Sequence, residues 1–288
     1  MTPEQYCEDK AVKSGSSFYS SFRFLPAPKR LAITALYAFC REVDDVVDET
    51  HNDAVARKTL DWWRAEIDNL YAGGPQHPVT RALLPHIKAF DLQRELFLEI
   101  IDGMEMDLDI PNYASFKDLQ LYCYRVASVV GQLSAQIFGY TDRKTLKYAH
   151  DLGLAFQLTN IIRDVGEDAR RGRVYLPQDD LERFRIREAQ IANGDTSGLW
   201  RPMMAKQIER TRKMLQAGAP LGKVLKGRLG LELRLIILGG DRILKKLHDS
   251  GGDVFHHRPV LTWKDWLYML WRALRPNGRR TERSCHTC

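Results

Sequence analysis

Apolar side chains recur at intervals of three and four along almost the whole chain, and the strict apolar–polar alternation of a half-buried strand is absent. That periodicity restricts the fold to an all-α class. It predicts a short helix near 3–13 and others near 29–50, 53–71, 78–88, 92–108, 115–139, 142–166, 178–190, 198–216, 220–249 and 262–274. The breaks have local causes: Gly73-Gly74-Pro75 cannot continue a helix, Pro111 and Pro177 interrupt helical runs, and Ser115 with Asp118 three residues on reads as a capping box. Short connections and the lack of a low-complexity linker predict one packed bundle over residues 1–288 with an apolar interior. A chain of this length buries roughly three quarters of its unfolded surface.

No run of eighteen apolar residues occurs, and Met1-Thr2-Pro3-Glu4-Gln5 lacks the basic-then-apolar order of a signal peptide, so a cytoplasmic location is expected. Five cysteines are an odd number, and Cys40 and Cys123 sit inside apolar helical patterns, which argues against a disulfide framework. Cys285 and Cys288 form a C-x-x-C spacing without a second ligand pair, at the end of a polar tail. The net charge of +6 suits nucleic acid, anionic lipid or phosphorylated substrates. Nucleic acid is the weakest of these, because no zinc-finger spacing or RNA-binding signature is present.

Two segments carry the chemistry. In the first, Tyr37 through Glu49, Asp44 and Asp48 stand four residues apart and share one helix face, with Tyr37 and Arg41 continuing that stripe. A solvated acidic face could also carry this pair, but Leu36, Phe39, Val43, Val46 and Val47 leave the helix little room to face water. In the second, Asn160, Asp164 and Asp168 follow at four-residue steps, flanked by Gln157, Arg163, Arg170, Arg171 and Arg173. Oxygen donors in such a stripe suit a hard cation, and magnesium usually takes one or two carboxylates plus substrate phosphates. Arginines supply charge for phosphate oxygens that the metal does not reach. Zinc fits poorly, because no Cys or His stands at ligand spacing. If the two stripes face each other across a cavity, their mutual repulsion requires cations. Between them, Tyr122, Val126 and Leu133 form an apolar stripe around Gly131, where glycine costs a helix about 1 kcal/mol relative to alanine. Either a tight helix crossing or a substrate pocket explains that glycine.

These segments resemble the squalene and phytoene synthase family, the head-to-head trans-isoprenyl diphosphate synthases. Ser14-Gly15-Ser16-Ser17-Phe18 with Phe22 through Pro26, then Tyr37 through Glu49, Tyr122 through Gly131 and Gln157 through Pro177 match its motifs in order. Within the family the N-terminal run resembles bacterial presqualene diphosphate synthases of hopanoid biosynthesis more than plant-type phytoene synthases. The resemblance implies a single-domain isoprenoid synthase bundle with a central apolar cavity. It implies Mg²⁺, or Mn²⁺, held by Asp44, Asp48, Asn160, Asp164 and Asp168. By the same carry-over, Ser17, Tyr37, Arg41, Gln157, Arg163 and Arg258 contact diphosphate oxygens, while Phe18, Phe22, Tyr122, Val126 and Gly131 line a prenyl channel. Family members often have Arg-Ile-Tyr where this chain has Arg242-Ile243-Leu244, so no hydroxyl role is assigned there.

The implied reaction joins two farnesyl diphosphates into presqualene diphosphate. The alternatives are a phytoene or dehydrosqualene synthase, or a catalytically inactive lipid-binding relative, whose expected mark is loss of aspartates from either motif. Finally, Trp263, Trp266, Leu267, Leu270, Trp271 and Leu274 recur at helical spacing, flanked by Lys264, Arg272 and Arg275 and followed by Arg279, Arg280 and Arg283. This pattern suits an interfacial helix at the inner membrane face, where each basic residue adds about 1 kcal/mol beside an anionic surface. It equally suits the last helix of a bundle closing the core.

Overall fold

The computed structural model describes residues 1–14, 22, 25–50, 52–109, 112–225 and 227–274. Helices α1 (Pro3–Lys13), α2 (Ala27–Glu49), α3 (Asp53–Tyr71), α4 (Pro78–Ala89) and α5 (Arg94–Asp109) form the first half. Local chemistry starts several of them. Thr2 and Gln5 make a reciprocal capping box on α1, and the Asn52 side chain accepts from the amides of Ala54 and Val55 at the head of α3. The edges of Trp63 and Phe97 pack on Phe39 at centroid distances of 5.6 and 5.3 Å. All three rings are buried, which fixes α2 against α3 and α5 and so sets where Asp44 and Asp48 stand.

The capping box expected at Ser115 and Asp118 is present and opens α6 (Phe116–Cys123). This helix runs through a π turn, Tyr124–Ser128, into α7 (Val129–Phe138). The expected helix over 115–139 therefore exists but carries a wide turn at its centre. Glycines on two neighbouring helices make room for that turn: Gly103 of α5 and Gly153 of α8 (Lys144–Arg170). A Cβ on Gly103 would stand 2.8 Å from Val126 Cγ1, and one on Gly153 would stand 2.6 Å from Ser128 Cα. Gly153→Ala should therefore push α8 off the turn. Alanine's better helix propensity returns about 1 kcal/mol, whereas overpacking against backbone costs about 1–3 kcal/mol or more. Urea unfolding should show a net loss, and a midpoint at or above that of the parent chain would refute the clasp.

The second half comprises α9 (Gln178–Arg183), α10 (Glu188–Ala192), α11 (Trp200–Gly218), α12 (Leu221–Val224), α13 (Gly227–Asp249) and α14 (Trp263–Leu274). Here two expected helices are divided. The run over 178–190 breaks where Arg185 adopts a φ of 55°, and the run over 220–249 breaks after Val224. Helix α8 packs along α11, against the π turn and against α7. The described residues contain no strand, and their one backbone bridge outside helices joins Asn112 to Val174. Buried side chains form two large apolar clusters, one for each half. A third, smaller cluster including Met106, Tyr113, Tyr122, Leu158 and Ile161 lies between α5, α6 and α8. None of the described helices is long and apolar enough to cross a membrane.

Candidate active site

Asp44 and Asp48 of α2 and Gln157, Asn160, Asp164 and Asp168 of α8 line one cavity of about 170 Å³. Asp107 from α5, Tyr122 from α6 and Arg171, Arg173 and Tyr175 just after α8 complete its wall. The two acidic stripes thus face a common space. Their neighbours distinguish them from a solvated acidic face. Asp45 and Glu42 turn toward α1, where Lys10 pairs with them at 2.8 and 3.1 Å and Tyr6 donates to Glu42 at 2.7 Å. Asp44 and Asp48 are left for the cavity.

Guanidinium groups hold part of the charge. Arg41 reaches Asp44 at 2.6 Å and Asp45 at 2.7 Å, and Arg173 crosses from the far wall to Asp48 at 3.3 Å. Asp164 accepts two hydrogen bonds from Arg163, at 2.9 and 2.6 Å, and one from Arg258 at 2.8 Å. Burial works against the ionised form of Asp164, but those hydrogen bonds outweigh it and lower its pKa. Asp44 and Asp168 respond the other way. Burial, reinforced for Asp44 by Asp48, Asp45 and Asp107, raises its pKa to about 6. Asp168 reaches about 6 through burial and the nearby charges of Asp164 and Glu167.

Asp107 was not singled out from sequence. Its carboxylate accepts hydrogen bonds from Tyr122 at 3.0 Å and Tyr175 at 2.9 Å. The rings of Tyr113, Tyr122 and Tyr175 pack against one another with centroids 5.4–5.9 Å apart. Burial raises the Asp107 pKa despite the two phenol hydrogen bonds. In sequence, Asp107 stands among Asp102, Glu105 and Asp109, which instead bind Arg64 and Arg57 on the surface. Its spacing of four from Gly103, which meets the π turn, is the one available hint.

Other expected site residues lie elsewhere. The Tyr37 hydroxyl hydrogen-bonds Ser14 at 2.8 Å and does not line the aspartate cavity. Phe22 contacts the Tyr37 ring and lines a separate cavity of about 350 Å³ with Cys7, Arg30 and His86. Gly131 is where α7 meets α8: a Cβ there would stand 2.9 Å from the Ala149 carbonyl oxygen, so a helix makes the close approach. Val126 is half-buried between the first and third clusters, a turn beyond Tyr122. Ser17, Phe18, the cysteine pair at 285 and 288 and the arginines of the tail fall outside the described residues.

The donor set fits magnesium. Among the described residues no three His, Cys, Asp or Glu side chains gather tightly enough to cage an ion alone. Instead, opposed carboxylates would leave coordination to be completed by phosphate oxygens of a ligand, which is how magnesium is usually held. Two carboxyls with pKa values near 6 are those a cation would neutralise. Being raised, they favour the folded state below about pH 4 and lose that contribution as pH rises through 6. Above pH 6 both are ionised and repel their neighbours. Millimolar Mg²⁺ together with inorganic diphosphate should therefore raise the melting temperature by several degrees at pH 7.5, since a ligand at a hundredfold excess over Kd adds about 2.7 kcal/mol. The shift should shrink at pH 5. Equal shifts at both pH values, or none at pH 7.5, would contradict the assignment.

Comparison with known proteins points to one family. The family model for squalene/phytoene synthase matches residues 11–265. A phytoene synthase from Arthrospira platensis is 35% identical over 94% of this chain and 92% of its own length. Among solved structures, squalene synthase HpnC from Alicyclobacillus acidocaldarius is similar with a TM-score of 0.81 at 30% identity, over 86% of this chain and 94% of its own. A dehydrosqualene synthase solved with a ligand has a TM-score of 0.82 at 27% identity, over 94% and 95% of the two chains.

Proposed function

This chain belongs to the squalene/phytoene synthase family of head-to-head prenyl transferases, and we propose that it condenses two farnesyl diphosphates into presqualene diphosphate with release of one diphosphate. The observation that carries this reading is the single cavity walled by Asp44 and Asp48 on one side and Asn160, Asp164 and Asp168 on the other. A surface of that composition binds diphosphate through cations and arginines.

The C1–O bond of the first farnesyl diphosphate breaks, leaving an allylic cation and a free diphosphate. Asp44, Asp48, Asn160, Asp164 and Asp168 would hold the divalent cations, which would supply Lewis acidity to that leaving group. Arg163 and Arg258 carry positive charge on the α8 wall, and Arg41 and Arg173 carry it beside α2, where it favours the departing anion. The C2=C3 double bond of the second farnesyl chain attacks C1 of the cation, and loss of a proton from that carbon closes the cyclopropane. The cavity has the size of the diphosphate end alone. The prenyl chains would run from it past Tyr122 and Val126 beside the third cluster, whose apolar side chains would keep water from the cation. Asp107 acts as a positioning residue that holds the phenols of Tyr122 and Tyr175 against the cavity.

A second reading, phytoene synthase, is favoured by the name of the Arthrospira relative. Supporting a stop at the diphosphate product is the sequence at Leu244, which offers no hydroxyl where family members often carry tyrosine. Competition between farnesyl and geranylgeranyl diphosphate with Mg²⁺ separates the two. Preferential use of the C15 substrate, with a C30 diphosphate as product, supports the first reading. Preferential use of the C20 substrate, with a C40 hydrocarbon lacking diphosphate, would establish the second.

A further inference from the structure

Helix α14 buries only a narrow stripe against the rest of the protein. Asp265, Met269 and Ala273, four residues apart, are its buried positions, and all nine others are exposed. Those nine include Trp263, Trp266, Leu267, Tyr268, Leu270 and Trp271, with Trp263 at 68% exposure and Leu267 at 59%. The sequence alone left open whether this apolar face closes the core. It does not: only Met269 and Ala273 of the helix are buried apolar residues, and polar contacts anchor the head of the stripe. Asp265 accepts hydrogen bonds from Arg242 at 2.7 Å, from Lys246 at 2.5 Å and from the amide and hydroxyl of Thr262, each at 2.8 Å.

We propose that α14 is an interfacial helix that docks the enzyme on anionic membranes. Asp265 is its one acidic residue and is buried and paired, so the exposed surface of the helix carries cations only, Lys264 and Arg272. Lys264 lies over the Trp263 ring and Arg242 over the Tyr268 ring, at 5.6 and 5.1 Å. Aromatic rings beside basic groups are what a helix in the headgroup layer presents. Residues 275–288 that follow add four arginines against one glutamate. The same charge pattern disfavours a second copy as the occupant, since pairing two such helices brings cation against cation. The surface lies near the site, because Arg258, five residues before Trp263, is the residue bonded to Asp164. An amphiphile with long prenyl chains would thus meet the enzyme at the bilayer, but docking itself does not depend on which product forms.

The test is co-sedimentation of the full chain with vesicles of phosphatidylcholine, with and without phosphatidylglycerol, at low and high salt. Removal of α14 would strip Arg242 and Lys246 of their carboxylate, so substitution is cleaner. Trp263→Ser, Trp266→Ser and Trp271→Ser combined should weaken binding to the anionic vesicles about tenfold or more, with an unchanged unfolding transition. Lys264→Glu with Arg272→Glu should weaken the same binding and reduce its salt dependence. Undiminished binding in both variants, or equal binding of the parent chain to neutral and anionic vesicles, would overturn the proposal. So would a parent dimer that binds no vesicle and dissociates on the triple substitution.

Discussion

Replacing Asp48 or Asp164 with alanine is expected to lower turnover by about a thousandfold or more, while helical content and cooperative unfolding stay near those of the parent chain. The two consequences separate because the side chains contribute differently to folding and to chemistry. Asp48 is exposed, and its contact in the fold is the 3.3 Å pair with Arg173. Pairs of that kind are worth about 0–1 kcal/mol. Asp164 has stronger bonds, but its partners Arg163 and Arg258 remain open enough to be solvated once it is gone. The loss to chemistry is larger. A ligand of the diphosphate-binding cations supports several kcal/mol of charge stabilisation in the transition state, and about 4 kcal/mol corresponds to a thousandfold in rate. Steady-state kinetics beside circular dichroism and thermal unfolding check both halves. Retention of a tenth of parental activity in either variant would remove that aspartate from the metal site.

Asp107→Asn should lower turnover by about a hundredfold with KM changed only a few-fold. One buried carboxylate accepts from both Tyr122 and Tyr175. An amide of the same shape keeps one acceptor oxygen and turns an NH₂ group toward the other phenol, so one hydroxyl must reorient or lose its partner. Hydrogen bonds to a charged acceptor contribute about 1.5–3 kcal/mol, which sets the size of the effect. Because Tyr122 acts through the same bond, Tyr122→Phe combined with Asp107→Asn should cost much less than the sum of the two separately. Additive losses, or a change confined to KM, would show that Asp107 does not position the phenols for the reaction.

The helical framework and both aspartate stripes were legible because they are written in local spacing. Four-residue steps put Asp44 with Asp48, and Asn160 with Asp164 and Asp168, and the fold keeps those faces. The capping box at Ser115 was legible for the same reason. What escaped depends on residues distant in the chain. The π turn at Tyr124–Ser128 is accommodated by Gly103 and Gly153 on other helices, and nothing within its own sequence announces it. Asp107 is one of four carboxylates in its helix turn region, and only tertiary placement separates it from those that bind Arg57 and Arg64. Gly131 signalled a close approach correctly, but identifying the neighbour as Ala149 required the packing of α7 on α8. Periodicity found the apolar face of α14 without saying what covers it. The buried stripe of Asp265, Met269 and Ala273 shows that the protein interior does not.

The central claim, that the two aspartate walls form one cation-dependent site joining two prenyl diphosphates head to head, is tested most directly by mass analysis after incubating the full chain with farnesyl diphosphate, with and without Mg²⁺, in the absence of reductant. A C30 diphosphate that accumulates with Mg²⁺, together with released diphosphate, and that disappears with excess chelator is the predicted result. Farnesyl diphosphate recovered intact in the presence of Mg²⁺, or coupled product formed equally well in chelator, would contradict it.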